Sequence, residues 1–263
     1  MPVVRRVVVV GGLLVLVAQG LVCSQLASAE APAAKAESVP SGAGLYPSAI
    51  LYHKFHHDDV PAQLRRVAEL GFRRVQLVVT LHVEIDEQFQ VQRYFVQSER
   101  RHVPLDEKSL AEFRTTLRKA FAEAARLGLG VSVAAHLNST GKIDEWRNRF
   151  RFDPLAEYEG FTYREALIEP IVEAAAAEMP ADAVVDLSLC GEMGRSVFEH
   201  PEAYRQMIGK IRDRAGGPRR RLGVSLNFDN QASEANPSAE QIAALNALLA
   251  ESDLLGMSQY RWF

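Results

Sequence analysis

One unit recurs along most of this chain: a short apolar run, a polar loop, an amphipathic helix, then a Gly or Pro break. The apolar runs fall at residues 49–52, 75–79, 131–135, 184–189, 224–226 and 254–257. Strands alternating with helices imply parallel strands joined by helical crossovers, and two architectures compete for that pattern. A doubly wound sheet carries a Gly-rich phosphate turn after its first strand. Here the first turn reads His53-Lys54-Phe55-His56-His57-Asp58-Asp59, with no glycine. A barrel instead gathers polar and aromatic residues at one rim, just past its strands. His53, His82, His136, Glu192, Asp229 and Tyr260 follow successive runs in that way. The expected fold is therefore α/β, of the (β/α)8 TIM-barrel type. A complete barrel needs eight strand–helix units. About six are legible, so the domain over residues 45–263 is expected to be incomplete at its C-terminus.

The helices are marked by caps and by steps of three and four between apolar residues. Asp58 or Asp59 can cap a first helix, with Pro61 in its first turn and Leu64, Val67 and Ala68 on its buried face. After a long loop, Asp106 can cap a second that carries Leu110, Phe113, Leu117, Phe121 and Ala124 and stops at Gly128. A third is expected over residues 163–178 and a fourth from Pro201 to a break at Gly216-Gly217. Ser238 with Gln241 forms a capping box for a fifth, bearing Ile242, Leu245, Leu248 and Leu249. The triplet Arg219-Arg220-Arg221 reads as a solvated turn before a strand at Leu222.

The first 29 residues are different material. Arg5 and Arg6 precede an almost wholly apolar run over residues 7–22, and Ala27-Ser28-Ala29 has the small-x-small form of a cleavage site. That is the layout of a secretory signal. The run is short for a membrane span of ~20 residues, so cleavage, export to the periplasm or medium, and no stable membrane anchor are expected. Residues 30–44, rich in Ala, Pro, Ser and Gly, read as a flexible spacer. Without Cys23, Cys190 is the one cysteine left, so no internal disulfide can form and the core must supply the stability. A net charge of −3 and the lack of a sustained basic stripe exclude a polyanion partner such as nucleic acid.

Glu192 is the leading candidate for chemistry. It sits in Leu189-Cys190-Gly191-Glu192-Met193-Gly194, directly after the fourth run. Gly191 and Gly194 would let the backbone turn tightly and present the carboxylate at the rim. A carboxylic acid in a partly apolar pocket can donate a proton near neutrality. The competing reading is a loop glutamate that caps the next helix. His53, His56 and His57 with Asp58 and Asp59 match no strong zinc spacing, and a polar loop with a helix cap explains them.

At this point the chain resembles the clan A glycoside hydrolases, whose acid/base is an acidic residue at the end of strand four. Ala135-His136-Leu137 followed by Asp144-Glu145-Trp146-Arg147-Asn148, the segment 163–171, and Asp253-Leu254-Leu255-Gly256-Met257-Ser258-Gln259-Tyr260 resemble the β-mannanase-like family 113 of that clan. The resemblance implies a retaining hydrolase of a β-linked polysaccharide or oligosaccharide, β-mannan among them, without metal or organic cofactor. Glu192 would be the acid/base. His136, Trp146 and Arg147 would line the sugar site, with Tyr52, His82, Asn227 and Tyr260 as wall residues; for each, local packing is the alternative. The nucleophile would come from a seventh strand, which is not legible, and Gly191 stands where many clan members carry asparagine. Asp229 and Glu84 are the nearest substitutes. A non-catalytic carbohydrate-binding barrel and a metal-dependent hydrolase built on residues 53–59 remain as alternatives. Oligomeric state leaves no mark in the sequence.

Overall fold

A computed structural model describes residues 48–53, 60–98, 101–141, 143–227 and 238–258. The segments read as signal and spacer, the Asp58/Asp59 cap, Asp229 and Tyr260 lie outside the described residues, as do the side chains of Tyr52 and His53.

The expected unit recurs. Strand β1 (Ser48–His53) leads to helix α1 (Val60–Glu69), and β2 (Arg74–Ile85) leads through a hairpin to α2 (Glu107–Arg126). Then follow β5 (Gly130–Thr140), α3 (Glu169–Glu178), β8 (Val184–Gly191), α4 (Gly194–Glu199), α5 (Pro201–Arg212), β9 (Arg219–Asn227), α6 (Ala239–Glu251) and β10 (Leu254–Ser258). In space the parallel strands run β1–β2–β5–β8–β9–β10, each beside its predecessor. A doubly wound sheet reverses its strand order at a switch point; this sheet never does. Sequential order with helical crossovers is barrel topology. Among the described residues β1 and β10 do not pair, so the barrel is open.

The two faces of the sheet differ because strand side chains alternate. Val75, Leu77, Val79 and Leu81 of β2, Val131, Val133, Ala135 and Leu137 of β5, and Val185, Leu187 and Leu189 of β8 share one core with Leu110, Phe113, Leu117, Phe121 and Ala124 of α2. The intervening positions face the other way and are largely polar: Gln76, Thr80 and His82; Ser132, His136 and Asn138; Asp186 and Ser188. That second face is the inside of the barrel, and it carries the candidate site at its upper end.

Asp106 and Ser238 cap their helices as expected; Ser238 does so in the expected capping box, and Asp106 forms one too, with Ser109. Four expectations are corrected. The long loop before Asp106 is an antiparallel hairpin, β3 (Val91–Ser98) and β4 (Arg101–Pro104), paired to the extension of β2. Strands β2 and β5 run on beyond their apolar cores, still paired as far as Glu84 and Thr140. His82 and His136 are therefore strand residues, held above the last residue of β2 that β1 reaches, Val79. The helix expected from residue 163 begins as a π-helical turn (Arg164–Ile168) before α3, after a two-stranded patch of β6 (Glu157–Tyr158) and β7 (Phe161–Thr162). Arg219-Arg220-Arg221 opens β9 instead of forming a solvated turn. Arg221 grips the buried Asp186 on β8 through two bonds of 2.6 Å, and Arg220 donates to the carbonyls of Ile211, Arg214 and Gly216.

Candidate functional site

Strand β8 ends in an irregularity: its register against β9 shifts between Ser188 and Gly191. Just beyond it, Glu192 has φ +64°. The left-handed region costs a non-glycine residue about 1–2 kcal/mol, and such strain persists only where the surroundings fix it. Three contacts do so. The Glu192 amide donates to the Ser225 carbonyl at 2.9 Å. Its carboxylate accepts from Arg147 Nη1 at 2.7 Å, with only 3% of the side chain exposed. The amide of Gly194, two residues on, donates to Asn148 Oδ1 at 2.9 Å.

The glycines around Glu192 play a different part from the one expected. Neither Gly191 nor Gly194 has a positive φ; the residue that takes the left-handed turn is Glu192 itself. Gly191 is required by packing. A Cβ there would lie 2.0 Å from Cδ2 and 2.3 Å from Nε2 of His136, so the imidazole occupies the space a side chain would need.

His136 is buried, and it is less basic than a free imidazole. Burial and the nearby charge of Arg147 push its pKa down to about 4, partly opposed by Glu192. The ring is thus neutral at ordinary pH, and its Nδ1 is buried without a hydrogen-bond partner.

Arg147 ties the rim together. It opens a 3₁₀ turn (Arg147–Arg149) that follows the loop after β5. Its Nε donates to the Leu137 carbonyl at 3.1 Å, Nη2 to Asn138 Oδ1 at 2.7 Å, and Nη1 to Glu192. Guanidinium has five N–H donors, so at most two remain for a ligand. The loop is itself braced. Ser139 Oγ bonds Asp144 Oδ1 at 3.0 Å and the Glu145 amide at 3.1 Å. Glu145 accepts from the Trp146 amide and pairs with Arg149, both at 2.8 Å. Trp146 is left 43% exposed, and the Arg147 guanidinium lies 5.8 Å from its ring centroid.

These residues line a cavity of about 590 Å³, formed by His82, His102, Asn138, Ser139, Asp144, Glu145, Trp146 and Arg147. His102 has no precedent in the sequence reading. It arrives on β4, where its ring centroid lies 4.2 Å from that of His82 with the planes tilted by 39° and its Nδ1 lies 2.6 Å from Thr140 Oγ1. The hairpin signal was weak because β4 is exposed along its whole length. Glu192 and His136 are not part of the lining; Arg147 joins the cavity to the carboxylate behind it.

Of the expected site residues, Glu192, His136, Arg147, Trp146 and His82 thus gather at one end of β2, β5 and β8. Asn227 ends β9 and pairs in register with Ser258, two residues beyond the Ser225 that holds Glu192. Tyr52 lies opposite Val78 in β1. Glu84 faces β3 instead, paired with Arg93 at 2.8 Å. Among the described residues no group of three or more His, Cys, Asp or Glu side chains is set to hold a metal.

No protein-family model and no curated protein matches the sequence. Solved structures do resemble it. A glycoside hydrolase family 113 β-1,4-mannanase shares 13% identity, with 80% of this chain and 69% of that one covered and a TM-score of 0.41. The family 113 β-mannanase of Alicyclobacillus acidocaldarius shares 16% identity over 70% of this chain and 54% of its own, with a TM-score of 0.42. A family 5 subfamily 18 enzyme from Bifidobacterium longum shares 16% identity over 68% of this chain and 43% of its own, with a TM-score of 0.31.

Proposed function

We propose that the chain is a carbohydrate-active barrel of the retaining glycoside hydrolase type, with a β-linked oligosaccharide, β-mannan in the first instance, as its substrate. One observation carries the reading. A glutamate at the end of β8 is held in a strained backbone conformation and paired with Arg147, next to a cavity with an exposed tryptophan. Backbone strain of this kind clusters at active sites, which supports a working role for Glu192. Trp146 suits the apolar face of a pyranose, and Asn138, Ser139, Asp144 and the remaining donors of Arg147 suit its hydroxyls.

In this reading Glu192 protonates the leaving glycosidic oxygen as the C–O bond breaks, and a second carboxylate attacks the anomeric carbon. Glu192 then takes a proton from the water that releases the sugar. The second carboxylate must stand ~5–5.5 Å from the first, and no residue is assigned to it. Both Glu145 oxygens are engaged with Trp146 and Arg149, and Glu84 belongs to Arg93.

A second reading, a sugar-binding barrel without turnover, is favoured by the near-complete burial of Glu192 behind Arg147. Calorimetry with β-1,4-mannohexaose, run beside an assay for new reducing ends, separates the two. Binding with hydrolysis that disappears in Glu192→Gln supports the enzyme. Binding without hydrolysis, lost in Trp146→Ala, supports the binding module. Neither binding nor hydrolysis across a panel of β-glycans contradicts both. The same reading takes residues 1–29 as an export signal, and an N-terminus beginning near residue 30 in secreted material is the expected result.

A further inference from the structure

We propose that Asn148 is a positioning residue for Glu192, working with Arg147 as the second jaw of a clamp. The inference rests on the reading of Glu192 as the working acid. Two adjacent residues of one 3₁₀ turn grip the chain at its left-handed residue and two residues beyond it. Arg147 holds the side chain of residue 192, and Asn148 holds the backbone of residue 194. Asn148 is only 1% exposed, so the Gly194 amide it receives has no water to replace it. If that acceptor is lost, the buried amide is orphaned and the cheapest relief is a shift of the turn. The backbone of Glu192 can then relax towards right-handed φ, which swings its carboxylate away from Arg147.

The other end of the same side chain argues for a working role over a merely structural one. Asn148 Nδ2 is buried without a hydrogen-bond partner. An unsatisfied buried donor lowers stability, so this asparagine is a poor choice for stability alone. The segment after the turn is secured separately, by Ser196 Oγ bonded to the Phe152 carbonyl at 2.8 Å and to Tyr204 Oη at 3.0 Å. Asn148 therefore acts at the first residue of α4, two residues beyond Glu192, next to the Met193 amide that Cys190 Sγ holds at 3.3 Å.

A thermal-stability cycle tests this without reference to any sugar. Asn148→Ala is made in the wild-type, Glu192→Gln and Glu192→Gly backgrounds. Gln keeps the strain of a left-handed side-chain-bearing residue, whereas Gly adopts φ +64° freely. The expected result is an equal fall in Tm in the first two backgrounds and a larger one with Gly, because only a strained residue at 192 recovers strain when the turn relaxes and so offsets part of the lost bond. An equal fall in all three overturns the proposal, since Asn148 would then serve Gly194 alone. Asn148→Ser, too short to reach the amide, carries the cycle if the alanine variant does not fold. In the hydrolysis assay Asn148→Ala should lower kcat on the order of 10²-fold with KM little changed, the signature of a misplaced group. A loss confined to KM also overturns the proposal. Absence of hydrolysis in every variant counts against the enzymatic reading, and the Tm cycle still decides whether Asn148 positions Glu192.

Discussion

Gly191 and His136 form the tightest residue-level contact of the site, and it can be broken from either side. Gly191→Ala forces a methyl into the imidazole, and overpacking of this kind costs about 1–3 kcal/mol. Adding His136→Ala should recover part of that loss in denaturant midpoint, the rest remaining because the Ala135 carbonyl also lies 2.9 Å from the added methyl, and no recovery would mean the imidazole is not the main obstacle. His136 also makes stability depend on pH. An unfolded imidazole titrates near 6.5, the folded one near 4. Between those values the unfolded chain binds a proton that the folded chain refuses, so stability falls as pH drops from about 6.5. The loss is complete below about 4, at about 3 kcal/mol. Carboxylates titrate in the same window, so the readout is the difference between wild type and His136→Gln, whose stability should fall less over that range. Glu192 was legible because an acid between an apolar run and an amphipathic helix is a rim residue in any barrel. Its left-handed backbone was not, since only glycine advertises a positive φ; the sequence therefore credits the turn to Gly191, which serves packing.

At the scale of elements, β2, β8 and β9 are locked by Asp186. The carboxylate is buried and takes two bonds from Arg221 and one of 3.2 Å from Arg74. This triad lies towards the N-terminal ends of the strands, away from the site, where barrels place stability. Asp186→Ala leaves two arginines without their partner. Removing one member of a buried pair costs about 3–5 kcal/mol, and the partial exposure of both arginines, 26% and 38%, brings the expected loss to about 2–3 kcal/mol. Chemical denaturation should show it with affinity for oligosaccharide unchanged. An unaltered midpoint would reduce the triad to surface pairing. The strands that were legible are those buried on their helix-facing side, where β-branched runs stand out. The extensions of β2 and β5 and the hairpin β3–β4 mix polar and apolar residues, so their strand character comes from pairing with each other. His102 was missed for that reason.

For the whole molecule, sequential strand order decides between the two architectures that alternation alone leaves open. The missing Gly-rich turn favoured the barrel, and the sheet agrees: its parallel strands follow chain order without reversal. What alternation could not supply is the depth of the site. The carboxylate stands behind Arg147, and the cavity wall belongs to the β5 loop and the β3–β4 hairpin. The function proposed for this rim is acid/base chemistry on a β-linked sugar through Glu192. Its most direct test is proton NMR of the first products formed from β-1,4-mannohexaose by the wild-type chain and by Glu192→Gln. Wild-type products with the β-configuration retained are expected, with a rate lower by on the order of 10²-fold or more in the variant. Inverted products, or equal rates in the two proteins, would contradict it.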